Sequence, residues 1–105
     1  MARDNRSLPY EIKYATAGGV SQVVPVAGYD TANVAAIGNA TTGVLTLYGG
    51  VTPSGPWVSL TETVTGTGES GPFSIAGYPY LGIAVTTAEA DKTAQVTVYM
   101  TESGV

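Results

Sequence analysis

The stretch TLYGGVTPSGPWVSL, residues 46–60, decides the fold class. Before its glycines, Leu45 and Leu47 alternate with Val44, Thr46 and Tyr48, so a strand over 43–49 is apolar on both faces and central in a sheet. After its prolines, Trp57, Ser59, Thr61, Thr63 and Thr65 oppose Val58, Leu60, Glu62 and Val64, which makes 57–65 a half-buried strand with an outward threonine row. Between the two, residues 49–56 carry Pro53 and Pro56 among glycines, a loop that no helix could contain. The pair reads as a β-hairpin with Tyr48 and Trp57 nearly opposite each other at its mouth.

The same rhythm extends in both directions. Gly and Pro clusters separate β-branched and tyrosine-rich runs at 10–17, 20–27, 32–38, 72–76, 79–87 and 93–100. In 79–87, Leu81, Ile83 and Val85 share one face. In 93–100, Val96, Val98 and Met100 do the same. The Ala-rich piece 31–43 contains Thr, Asn and Gly, which weaken a helix. Eight short strands in 105 residues with no helix predict an all-β, single antiparallel β-sandwich, jelly-roll-like in arrangement. Residues 10–105 form that domain. Residues 1–9, polar and ending at Pro9, form an N-terminal arm that is either disordered or docked on a neighbouring subunit.

Composition removes whole classes of chemistry. Cysteine is absent, and with it disulfides, thiolate metal sites and thiol nucleophiles. Histidine is absent, and with it the commonest general base and zinc ligand. A net charge of −4 disfavours a nucleic-acid binder held by phosphate contacts. No apolar run reaches the roughly 18 residues of a membrane span, and MARDNRSLPY has no apolar stretch that would make it a secretory signal. The expectation is a chain made in the host cytoplasm.

Only 11% of residues are charged, against about 25% in ordinary domains. Such a surface is weakly protected against association. The charges are also segregated. Arg3, Arg6 and Lys13 against Asp4 and Glu11 give residues 1–14 a net +1, whereas Lys92 against six acids leaves the rest at −5. A basic head on an acidic body fits an arm exchanged between identical chains.

No constellation supports catalysis. The eight acids are scattered, and serine and threonine have no histidine beside them. TGTGESGP, residues 65–72, has the glycines of a phosphate loop but no lysine and no following helix, so it reads as a mobile surface loop. Glu89 and Asp91 are the closest acidic pair, but Lys92 beside them reads as their partner or screen, and no metal site follows. Trp57 has two readings. It anchors the hairpin, where a cross-strand aromatic pair contributes about 0.2–1 kcal/mol, or it stacks a sugar with Tyr48 beside it and Tyr78 or Tyr80 nearby. Tyr78 and Tyr80 flank Pro79 and read as core and corner residues.

Two segments, VVPVAGYDTANVAAIGNATTGVLTLYGGVTPSGPWVSL (23–60) and FSIAGYPYLGIAVTTAEADKTAQVTVYM (73–100), together resemble the small all-β virion proteins of tailed bacteriophages, above all capsid decoration, or cement, proteins. The resemblance implies a homotrimer on the outside of a phage head that bridges adjacent major capsid proteins, with no catalytic residue carried over. It implies a virion location on the capsid surface, with no cofactor, nucleic acid or membrane as partner. On that reading the arm residues Arg3, Arg6, Leu8 and Tyr10 contact the partner. The alternative is a carbohydrate-binding adhesin or tail-fibre-tip module that uses Trp57 and Tyr48.

Overall fold

The computed structural model describes residues 6–101. It contains eight strands and no helix: β1 (Arg6–Lys13), β2 (Val20–Pro25), β3 (Thr31–Gly38), β4 (Val44–Gly50), β5 (Trp57–Thr65), β6 (Gly68–Ser74), β7 (Tyr80–Thr87) and β8 (Thr93–Thr101). They form two four-stranded antiparallel sheets, β1-β8-β3-β6 and β2-β7-β4-β5, packed as a sandwich. Strand 1 pairs with 8, 2 with 7, 3 with 6 and 4 with 5, the nesting that results when one long antiparallel ribbon is rolled up.

Alternation along each strand builds the core. Val96, Val98 and Met100 of β8 point inward, level with Tyr10, Leu8 and Arg6 of β1 and with Ala36, Val34 and Ala32 of β3. Leu45 and Leu47 of β4 lie level with Val85 and Ile83 of β7 and close the opposite layer. These side chains of β3, β4, β7 and β8 are sealed from solvent. Fully burying one Val, Leu or Ile contributes about 1.5–3 kcal/mol, so the interleaved aliphatic layers are the main source of stability.

Two strands depart from the sequence reading. β1 begins at Arg6, not Tyr10, because Arg6 through Lys13 pair continuously with Met100 through Thr93. Residues 6–9, expected in an arm, are the first half of an edge strand; residues 1–5 lie outside the described residues. β6 occupies Gly68–Ser74 instead of 72–76, so most of the stretch expected to be a mobile loop is a strand laid along β3. The Ser70 hydroxyl donates to the Glu62 carboxylate of β5 at 2.6 Å and joins the two sheets on that side. Pairing with β3 thus overrides the weak strand propensity of glycine.

All four edge strands are blunted. Pro9 removes a backbone donor midway along β1. Pro25 ends β2, which also shifts register between Val20 and Gln22. In β5 the register shifts by two residues opposite Leu47 and Tyr48, at Leu60 and Thr61, and Thr61 has a φ of 59°. Gly71 and Pro72 interrupt β6 opposite the Ala32–Val34 segment. Prolines and bulges at edges prevent a further strand from adding.

Candidate functional site

With the edges closed, the outer faces are the surfaces left for recognition. The outer face of β2-β7-β4-β5 is built in rows by the register. One row runs Pro25, Tyr80, Gly50, Trp57; the next runs Val23, Gly82, Tyr48, Ser59; a third carries Ala84, Thr46 and Thr63. No position in these rows is charged. The Thr46 and Thr86 hydroxyls hydrogen-bond each other at 2.7 Å across β4 and β7. The outer face of the other sheet, by contrast, carries Glu11, Lys13 and Glu69 together with the exposed Ile37 and Tyr99.

Trp57 is opposite Gly50, and Tyr48 is opposite Ser59. The expected placement of Tyr48 nearly opposite Trp57 is therefore corrected to a diagonal one on the same face. The cause is that Gly49 and Gly50 belong to β4, which shortens the loop to residues 51–56. A Cβ on Gly50 would stand 2.6 Å from Cζ3 and 2.7 Å from Cε3 of Trp57, and one on Gly82 would stand 2.9 Å from the same Cζ3. The indole thus lies over a floor of two glycines, reaching from β5 across β4 to β7. Trp57, Tyr48 and Tyr80 are each half-buried. The Trp57 ring therefore anchors the hairpin on its underside while its remaining surface is presented with the two tyrosines. Trp57 Nε1 and the Tyr48 and Tyr80 hydroxyls have no hydrogen-bond partner among the described residues, and none of the three is sealed from solvent.

The other expected contact residues are placed differently. Arg3 lies outside the described residues. Arg6 is exposed at the start of β1. Leu8 and Tyr10 point inward and pack against the core; burial raises the Tyr10 hydroxyl pKa, and the Arg6 charge opposes that shift. The outward side of β1 is accordingly Ser7, Pro9, Glu11 and Lys13.

Glu89 does not pair with Lys92. Its Oε1 accepts backbone N–H groups of Thr41, Thr42 and Gly43 at 2.8, 2.9 and 2.9 Å, and its Oε2 accepts the Thr41 hydroxyl at 2.7 Å. The Thr41 hydroxyl first, and then the backbone donors, hold its pKa down to about 2. The carboxylate is committed to fastening the β3–β4 loop to the β7–β8 loop. Beneath it, Tyr14 is fully buried with its ring against Gly43, and its hydroxyl has no partner among the described residues. Burial, with the Glu89 charge second, raises the Tyr14 pKa.

A further element escaped the sequence reading although its signal is a plain repeat. Val26-Ala27-Gly28-Tyr29 and Ile75-Ala76-Gly77-Tyr78 form two like turns, with Gly28 at φ 88° and Gly77 at φ 90° and closing bonds of 3.1 and 3.0 Å. A positive φ at the third residue marks a type II turn and calls for glycine. The turns are joined reciprocally: Val26 N–H donates to Pro79 and Ile75 N–H to Asp30, at 2.9 and 2.8 Å. They enclose a cleft of about 180 Å³, below the roughly 300–1,000 Å³ of small-molecule sites, and Tyr78 covers Gly49 behind it. Their role is to turn the chain between sheets twice by the same device.

No family model matches the chain, and no curated protein matches it. Two solved structures share its fold. SPBc2 prophage-derived protein YomS superposes with a TM-score of 0.69 at 14% identity over 95% of this chain and 96% of its own. PBSX exported protein XepA superposes with a TM-score of 0.71 at 15% identity over 95% of this chain but only 39% of its own, so the chain spans about two-fifths of that protein. At these identities the likeness is one of fold.

Proposed function

We propose that the chain is a structural protein of a phage particle, a capsid decoration protein that binds the outside of the head and bridges major capsid proteins. The observation that carries this reading is the end-to-end fold likeness to a prophage-derived protein of nearly the same extent, YomS. The physics of the surface supports it. Blunted edges prevent strand addition, and few charges keep the faces open to packing. Attachment falls to the face of β1-β8-β3-β6, where the exposed Ile37 and Tyr99 share the surface with Thr97, Glu11, Lys13 and Glu69, with Arg6 at the start of β1. Three copies around a local symmetry axis would multiply weak contacts into firm attachment.

The test is mass spectrometry of purified particles from the strain that encodes the chain, with sedimentation equilibrium of the isolated protein. The reading expects the chain on heads in a fixed ratio to the major capsid protein, and a trimer of the 10.7 kDa subunit in solution or on the shell. Its absence from particles overturns the reading. Its presence on tails alone moves it to the tail-tip alternative.

A further inference from the structure

We propose that the outer face of β2-β7-β4-β5 is a binding platform for a neutral oligosaccharide, with Trp57, Tyr48 and Tyr80 as its stacking and hydrogen-bonding residues. This inference is independent of where, or whether, the chain is mounted on a particle.

The ligand class follows from what the face offers and what it lacks. The Trp57 ring is laid flat by Gly50 and Gly82, where any side chain would lift it. A flat aromatic surface is complementary to the C–H face of a pyranose ring. Stacking alone would not select a sugar over another apolar partner. Around the indole, however, the Trp57 Nε1–H and the Tyr48 and Tyr80 hydroxyls have no intramolecular partner among the described residues. Ser59, opposite Tyr48, accepts the Thr61 N–H at 3.1 Å and keeps its own hydroxyl proton to donate. Apolar rings ringed by unused hydroxyl and N–H groups match a ligand that is itself apolar on its faces and hydroxylated at its rim.

Charge narrows the class further. No lysine, arginine, aspartate or glutamate stands in the rows of this face, so an acidic polysaccharide, a phosphate or an ammonium group would find no counter-charge. Size argues against a second copy of the chain. Four strands about 4.8 Å apart and about six residues long present roughly 400 Å², half of the roughly 800 Å² per partner that a stable protein interface buries. A short run of sugar rings fits that area.

Trp57 is the only tryptophan in the chain, so its fluorescence reports this face and nothing else. The experiment titrates the full chain with cellohexaose, laminarihexaose and chitohexaose, with hexagalacturonic acid as the charged control. The expected result is a saturable change in emission with at least one neutral hexasaccharide and none with the charged one. Tyr80→Ala and Tyr48→Ala should each weaken that binding about tenfold or more while leaving far-UV circular dichroism and the melting temperature near wild type. Trp57→Phe, followed by calorimetry, should retain part of it. The proposal is overturned if no neutral hexasaccharide changes the emission up to about 10 mM, a range that covers even millimolar affinity. It is equally overturned if binding survives both tyrosine substitutions, or if the emission shifts with protein concentration alone as a dimer covers the face.

Discussion

Gly50→Ala tests the glycine floor directly. The new Cβ would be 2.6, 2.7 and 3.2 Å from Cζ3, Cε3 and Cη2 of Trp57. Carbon atoms pack at about 3.5–4.0 Å, so the indole must move away by about 1 Å. Over Gly82 the same Cζ3 already lies 2.9 Å from where a Cβ would stand, so the ring is seated close on that side too. Forcing a methyl into a filled contact costs about 1–3 kcal/mol. Replacing glycine by alanine returns about 0.4–1 kcal/mol through the unfolded chain. The net loss is therefore at most about 2.6 kcal/mol and centres near about 1.3 kcal/mol, which for a domain of this size lowers the melting temperature by roughly 5–10 °C. Thermal unfolding followed by circular dichroism reads the loss, and the emission maximum of Trp57 should move to the red as the ring lifts into water. The decisive arm is the cycle with Trp57→Ala. Once the indole is gone, only the gain through the unfolded chain remains and Gly50→Ala should stabilise slightly, so the two substitutions should couple strongly. Gly19→Ala, which meets nothing within 4 Å, serves as the neutral control. If Gly50→Ala costs the same with and without the indole, the ring does not rest on that glycine and the reasoning fails.

Four other outcomes follow from the loops, the buried Tyr14 and the edges. The Glu89 carboxylate is ordinarily half-protonated near 4.5 and here near 2, so its contribution is complete above about pH 4.5 and is lost as pH falls toward 2. Urea midpoints measured across that range should fall in the wild type and fall less in Glu89→Gln. Tyr14→Phe should stabilise the protein by about 1 kcal/mol, because it removes a buried hydroxyl without a partner; a loss of stability in chemical denaturation would show that the hydroxyl has a partner after all. The same hydroxyl titrates above its ordinary value of 10.0, so wild-type stability should decline as pH rises beyond about 10, and Tyr14→Phe should soften that decline. Pro9→Val should restore a backbone donor to the β1 edge, and light scattering at high concentration should detect increased association.

The strand pattern was legible because it is local. Leu81, Ile83 and Val85, or Val96, Val98 and Met100, announce their shared face by a period of two, and the structure buries all six. The sandwich class followed from the spacing of glycines and prolines, and Trp57 was recognisable as the residue that organises the hairpin mouth. The doubled Ala-Gly-Tyr turn was also written in the chain, at 27–29 and 76–78, and only needed comparison of the chain with itself.

What lay beyond the sequence were the features that depend on which strands meet. β6 looks like a loop by composition and is a strand because β3 supplies its hydrogen bonds. Leu8 and Tyr10 look like contacts for a partner and face the core because β8 fixes the register of β1. The bond between Glu89 and residues 41–43 joins segments more than 45 positions apart, and nothing local marks it. The same holds for the floor under Trp57. Gly50 and Gly82 are unremarkable in the sequence, and only the pairing of β5 with β4 and of β4 with β7 brings both beneath one indole. Local alternation thus determined the strands and their buried faces, while long-range register decided which residues share the outer one, because a pleat shows its period along the chain and its neighbours only across it.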